Sequence, residues 1–172
     1  MNVILQILNY FISIFTVKDR QKSNIDDEAL NIAYSDIINS EGYRRDVYKD
    51  SLGKLTVGVG HLVLPADNLT LGQRISDRDI EYFFSRDIEK SFVAARVQAM
   101  ELNKYSSEMI AALISVNFQL GTNWRNKFPN TWLAIKGGSI GDATLRLKRS
   151  LWNKQTPNRV ASFISTLKKE YA

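Results

Sequence analysis

Apolar positions recur every three or four residues along most of the chain, which predicts a mainly helical protein. The first stretch, MNVILQILNYFISIFTV, is uncharged over seventeen residues. Asn2, Gln6, Asn9, Ser13 and Thr16 form one narrow polar stripe on a helix there. Beyond it, Leu30, Ala33, Ile37 and Ile38 define the buried face of a helix. Ser23 or Asn24 can cap that helix, with Asp26, Asp27 and Glu28 in its first turn and an end near Ser40. Gly42 is a plausible stop, which leaves Glu41 at the helix end, where the dipole disfavours a carboxylate. The period then changes. Arg45 to Tyr48, the turn Asp50-Ser51-Leu52-Gly53, and Lys54 to Val59 read as a short hairpin.

Helical spacing returns at Ser76. Ser76 with Asp79 resembles a capping signal, and Ile80, Phe83, Phe84, Ile88 and Phe92 line one side of the long helix that follows. A second helix is predicted from about Ser106 to Leu120, ending near Gly121. Pro129 opens a short one that ends near Gly137-Gly138, and Pro157 interrupts a basic helical remainder. The fold class expected is α+β and mostly helical: a two-lobed domain with a small β-hairpin or sheet beside a cleft and a larger helical lobe. Residues 1–22 form an apolar N-terminal helix and 23–172 the domain.

Composition narrows the chemistry. With no cysteine, disulfides, thiol catalysis and cysteine-bound metal are excluded, and a single histidine cannot build a multi-histidine metal site. No cofactor and no metal are expected. The net charge of +5 is unevenly placed: from Leu120 onward there are ten Lys or Arg and two acidic residues. That end suits an anionic partner such as nucleic acid, anionic lipid or an acidic wall polymer, or is simply a solvated surface. No nucleic-acid recognition motif accompanies the charge, so no nucleic-acid partner is expected. The N-terminal stretch has three readings: a signal-anchor helix, an amphipathic helix on a membrane or on the domain, or a cleaved export signal. The third lacks a basic residue ahead of the apolar run and a small-x-small cleavage site. Residues 1–17 are thus the candidates for membrane association.

The stretch SEGYRRDVYKDSLGKLTVGVGH, Ser40 to His61, holds the candidate chemistry. Glycosidic hydrolysis needs one carboxylic acid on the leaving oxygen and a second carboxylate on water or carbon. Glu41 at a helix end and Asp50 on the adjoining turn can serve, with Thr56 on the returning strand to hold water. Spacing alone leaves this open against solvated charge at a turn, and Asp46 is an equally acidic neighbour, read as solvated.

The pattern Glu-Gly, an aspartate nine residues after the glutamate, a threonine six further on, then Val-Gly-Val-Gly-His resembles the T4-type phage lysozymes. Asn-Phe-Gln-Leu-Gly (Asn117 to Gly121), Trp152 and Gln-Thr-Pro-Asn-Arg (Gln155 to Arg159) extend the resemblance in the same order, over residues from about 28 to 172. The resemblance implies a peptidoglycan N-acetylmuramidase of endolysin type, inverting in mechanism. It implies Glu41 as general acid, Asp50 to orient or deprotonate water, and Thr56 to hold that water. Leu62, Phe118 and Thr131 match saccharide-lining positions, and Arg159 matches an arginine paired with the catalytic glutamate. Arg146 departs from the family pattern, where an asparagine contacts sugar. His61 is expected to be structural, paired with a nearby acid. A monomer is expected, made in a host cytoplasm and acting on the wall outside the membrane. An inert wall-binding protein on the same scaffold and a lytic transglycosylase are the competing functions.

Overall fold

The computed structural model describes residues 20–50 and 52–172, with side chains at 24–40, 42–50 and 52–172. The apolar segment 1–17 and its membrane or signal-anchor reading lie outside the described residues. Among the described residues no helix is long and apolar enough to cross a membrane.

The element order is α1 (Arg20–Glu41), β1 (Arg44–Lys49), β2 (Leu55–Gly58), β3 (His61–Leu62) and a 3-10 turn at Pro65–Asp67. Then come α2 (Asp77–Glu101), α3 (Ser107–Leu120), α4 (Trp124–Lys127), α5 (Pro129–Lys136), α6 (Ile140–Arg149), α7 (Leu151–Gln155) and α8 (Pro157–Glu170). They form two compact units. One contains residues 34–89, the other residues 24–33 and 90–172.

In the first unit the three strands run antiparallel in the order β1-β2-β3. Tyr48 lies opposite Thr56, and Thr56 opposite Leu62. A bulge between Arg44 and Tyr48 shifts the register of β1. The far edge of β1 is covered rather than open. Val47 donates to the Gln73 carbonyl at 2.9 Å, and Ile75 to that of Arg45 at 3.0 Å, which satisfies groups that would otherwise invite edge pairing. Val47, Val57, Val59, Ile75, Ile80, Phe83, Phe84 and Ile88 are buried in this unit. The expected α2 cap is present. Ser76 Oγ donates to Asp79 Oδ2 at 2.6 Å, and the Asp79 amide donates back to Ser76 Oγ at 3.2 Å.

The second unit is helical. Met109, Ile110, Leu113, Ile114, Trp124, Ile135, Leu147, Phe163 and Leu167 form its core. Ser106 caps α3 by accepting from the Met109 amide at 3.0 Å. Pro129 and Pro157 each occupy the first turn of a helix, where a missing N–H costs nothing.

Two expectations need correction. Helix α1 includes Arg20, so Ser23 and Asn24 are interior and Asp26, Asp27 and Glu28 are not in its first turn. Asp26 is held by side chains instead of the dipole: Arg96 Nε lies at 3.2 Å, and the Tyr105 hydroxyl donates at 2.8 Å. The hairpin gains a third strand, because the glycines at 58 and 60 have positive φ (66° and 75°) and let the chain reverse again at once.

Candidate active site

Helix α1 ends at Glu41 because Gly42 follows in the left-handed region at φ 74°. Its amide still reaches the Ile38 carbonyl at 3.1 Å, closing the last turn. The Glu41 side chain lies outside the described residues. Two residues later β1 starts, and it delivers Asp50 to the turn before β2.

Asp50 closes that turn with both its backbone and its side chain. Its amide donates to the Lys54 carbonyl at 2.9 Å, and its carbonyl accepts from Gly53 at 3.0 Å. Its Oδ1 accepts from the Leu52 and Lys54 amides, each at 2.8 Å. Charge-assisted bonds of this kind lock the rotamer. Both go to one oxygen, and Oδ2 takes part in neither. Thr56 follows on β2 and is 6% exposed. Its hydroxyl donates to the Lys54 carbonyl at 3.3 Å, a long bond. Opposite Thr56 on β3 stands Leu62, 43% exposed. Directly paired strand residues share a face, so Thr56 and Leu62 are side-chain neighbours. One small sheet thus brings together Asp50, Thr56 and Leu62, and the helix end carrying Glu41 belongs to the same unit.

His61 is 3% exposed and stacks on Phe83, with ring centroids 4.4 Å apart and planes 4° from parallel. Its Nδ1 lies 2.5 Å from Asp87 Oδ2 and its Nε2 3.1 Å from Asp67 Oδ2. Asp67 also accepts from the Leu64 amide at 2.7 Å and from Arg86 Nη2 at 3.1 Å. With a carboxylate at each ring nitrogen, both nitrogens donate and the imidazolium is the fitting form. Arg86 Nη2 is 3.3 Å from the same Nε2. In the protonated form these are two donors, held together by the Asp67 carboxylate between them. Burial works against the charged ring, but Asp87 and then Asp67 outweigh it and hold the His61 pKa above its ordinary value. Burial likewise works against ionised Asp67, and the Leu64 amide, His61 and Arg86 overcome it and lower its pKa.

The signs give opposite windows. The His61 contribution is complete below its unfolded pKa of about 6.5 and is lost as pH rises through the raised folded value. The Asp67 contribution is complete above about 3.9 and is lost as pH falls through its depressed folded value. Thermal melting temperature is therefore expected to decline from neutral toward alkaline pH, and Asp67→Asn should flatten that decline. An Asp67→Asn protein that loses stability over the same pH range by the same amount would place the dependence elsewhere.

The remaining sequence candidates lie in the helical unit. Phe118 on α3 is half-buried, as is Arg159 in the first turn of α8. Thr131 is 4% exposed at the start of α5. Arg146 is exposed on α6 and pairs with Asp142 one turn earlier at 2.8 Å. Asp46 is exposed as read, with Arg74 Nη1 at 3.4 Å. The two C-terminal motif blocks meet in space. Trp152 Nε1 donates to Gln119 Oε1 at 2.7 Å, and Gln119 Nε2 donates to Thr156 Oγ1 at 3.1 Å. Asn117 and Gln98 exchange two amide hydrogen bonds of 3.0 Å, and Asn117 Nδ2 also reaches the Ser91 carbonyl at 3.2 Å. Gln98, Asp67, Asp87 and Arg86 were not singled out from sequence. Gln98 could have been, since it interrupts the apolar series Phe92, Ala95 and Ala99 on α2. Among the described residues no group of His, Cys, Asp or Glu is placed to hold a metal ion.

A three-stranded sheet fed by a helix ending in Glu-Gly, with a larger helical unit after it, defines a lysozyme-type α+β fold. The phage lysozyme family model matches residues 38–167, and the chain belongs to that family. Two proteins of Dictyostelium discoideum are similar to it. "Probable T4-type lysozyme 2" is 29% identical over 155 residues, 73% of this chain and 89% of the relative. "Probable T4-type lysozyme 1" is 27% identical over 149 residues, 74% and 88% respectively. The family and the names of these relatives support a muramidase-like function.

Proposed function

We propose that this protein is an endolysin that hydrolyses the β-1,4 bond between N-acetylmuramic acid and N-acetylglucosamine in bacterial peptidoglycan, lysing a host cell from its wall. The observation that carries the reading is the Asp50 carboxylate. It is pinned through Oδ1 by two backbone amides on the turn beside Thr56, in the unit that also carries the Glu41 helix end. A carboxylate fixed by backbone donors is suited to orient water and take its proton without spending side-chain entropy in the reaction.

In this mechanism Glu41 gives its proton to the leaving O4 as the glycosidic C1–O4 bond breaks. Water held by Thr56 and Asp50 forms the new C1–O bond from the opposite face, and its proton passes to Asp50. Proton exchange with solvent then restores both acids. Displacement by water on the opposite face inverts the anomeric carbon and calls for carboxyl groups roughly 6.5–9.5 Å apart. Leu62, exposed beside Thr56, is the sugar contact contributed by the sheet. The ten basic and two acidic residues from Leu120 onward suit an anionic wall polymer.

Digestion of purified peptidoglycan tests the reaction class. Hydrolysis leaves a reducing muramic acid end, seen by borohydride labelling and mass spectrometry of the fragments. Anhydro-muramic ends would instead make the protein a lytic transglycosylase, and undigested polymer would make it a non-catalytic wall protein.

A further inference from the structure

Leu62, the sugar contact contributed by the sheet, has little of its own to hold it in place. It lies on β3, a strand of two residues at the edge of the sheet, and is 43% exposed. A side chain facing solvent is not fixed by packing, and so short a strand pins little by its own ladder. One backbone bond follows at once: the Val63 amide donates to the Leu55 carbonyl at 2.9 Å. A second anchor is the carboxylate of Asp67.

Asp67 arrives by a tight reversal. Pro65 opens the 3-10 turn, and Asn68 leaves it in the left-handed region at φ 51°. Asp67 Oδ2 accepts from the Leu64 amide at 2.7 Å and lies 3.1 Å from His61 Nε2. Its Oδ1 accepts from Arg86 Nη2 at 3.1 Å. The two groups on Oδ2 thus come from the residues on either side of Leu62 and Val63. Asp87, beside Arg86 on α2, takes the other nitrogen of His61 at 2.5 Å. The strand is fastened to the long helix through His61 and to its own turn through Leu64. A turn cap needs only one exposed oxygen, whereas the Asp67 side chain is 3% exposed and uses both. Burying a carboxylate is costly unless its partners are all in place, so a cluster this closed tolerates little movement. What it immobilises is Leu62, between the clamped ends and opposite Thr56.

We propose that Asp67 is a positioning residue for substrate binding: by clamping His61 and Leu64 it presents Leu62 to the sugar. The proposal rests on the muramidase reading. It gives the buried His61 cluster a part in substrate affinity, beyond its part in stability.

A double-mutant cycle with Leu62 tests it. Asp67→Asn keeps the volume but offers one acceptor oxygen in place of two, so Leu64 and Arg86, which bind different oxygens, cannot both be held. Sedimentation with purified peptidoglycan, in a Glu41→Gln background chosen to spare the polymer, reads affinity without bond cleavage. Leu62→Ala and Asp67→Asn should each weaken binding about three- to tenfold, the scale of one partly buried leucine. The double variant should bind no more weakly than Leu62→Ala alone. With Glu41 restored, the KM of Asp67→Asn should rise by the same factor while kcat changes by less. Measurements are made at a temperature at which melts show every variant folded. If Asp67→Asn does not fold, Arg86→Gln, which removes only the partner of Oδ1, goes through the same cycle with a loss of about twofold expected. Losses that add in the double variant would make Asp67 a support of the whole unit and overturn the proposal. So would unchanged affinity in either single variant, or a parent that does not bind the polymer. Failure of the muramidase reading shows separately, as peptidoglycan that wild type binds but leaves undigested.

Discussion

Glu41→Gln is expected to lower the rate of peptidoglycan hydrolysis by at least about 10³-fold, which corresponds to roughly 4 kcal/mol of transition-state stabilisation. The amide matches the carboxyl group in size and keeps a hydrogen-bond donor. It cannot release a proton to the departing O4, so the leaving group would have to depart as an alkoxide. The fold should tolerate the change. Glu41 is the last residue of α1, where the dipole disfavours a negative charge, so a neutral side chain removes an unfavourable interaction at that end. Gly42 terminates the helix by its own geometry whatever precedes it. The measurement is initial hydrolysis rate on purified peptidoglycan beside a thermal melt of the same preparation. A variant that melts like wild type and keeps more than about a tenth of the rate would mean that another group is the acid. Loss of rate with an unchanged affinity for the polymer would identify the lost interaction as one made only in the transition state.

The sequence was informative where the causes are local. Helical spacing with a Ser76–Asp79 box, a helix start near Ser106 and prolines at 129 and 157 sets α2, α3, α5 and α8 close to where they stand. Asp50, Thr56 and Leu62 lie close along the chain, so a hairpin is enough to bring the first two together, and one extra reversal adds the third. The start of α1 was not legible, because Asp26 looks like a first-turn acid until Arg96, seventy positions away, is known to hold it. The His61 cluster was half legible. A lone histidine in an apolar setting needs an acid, but nothing local says that two carboxylates, Asp67 and Asp87, take its two nitrogens and that Arg86 shares one of them. The covering of the β1 edge was hidden for the same reason. The loop along β1 brings Arg74 beside Asp46, 28 positions away in sequence.

Gly58→Ala is expected to destabilise the sheet unit by about 2–4 kcal/mol, a large effect for one methyl group. Two costs combine. Gly58 sits at φ 66°, where an L side chain is strained by about 1–2 kcal/mol. A Cβ there would also lie 2.8 Å from Ile80 Cγ2. That methyl cannot swing away: it is attached to the Ile80 Cβ, and Ile80 is 2% exposed in the packing between β2 and α2. Gly72 separates the two costs. Its φ is 80°, and a Cβ added there would meet nothing within 4 Å, so Gly72→Ala carries strain without the clash. Thermal melts should place Gly58→Ala below Gly72→Ala, and both below wild type, with roughly 2–4 °C per kcal/mol for a chain of this size. Equal melting temperatures for the two variants would show that the backbone yields at Ile80 and that the contact is not rigid. Because Gly58 is two residues from Thr56 on β2, yielding there displaces the hydroxyl proposed to hold water. Gly58→Ala should therefore lose hydrolytic rate in proportion to that shift, whereas Gly72→Ala, outside the three strands, should lose stability with little change in rate.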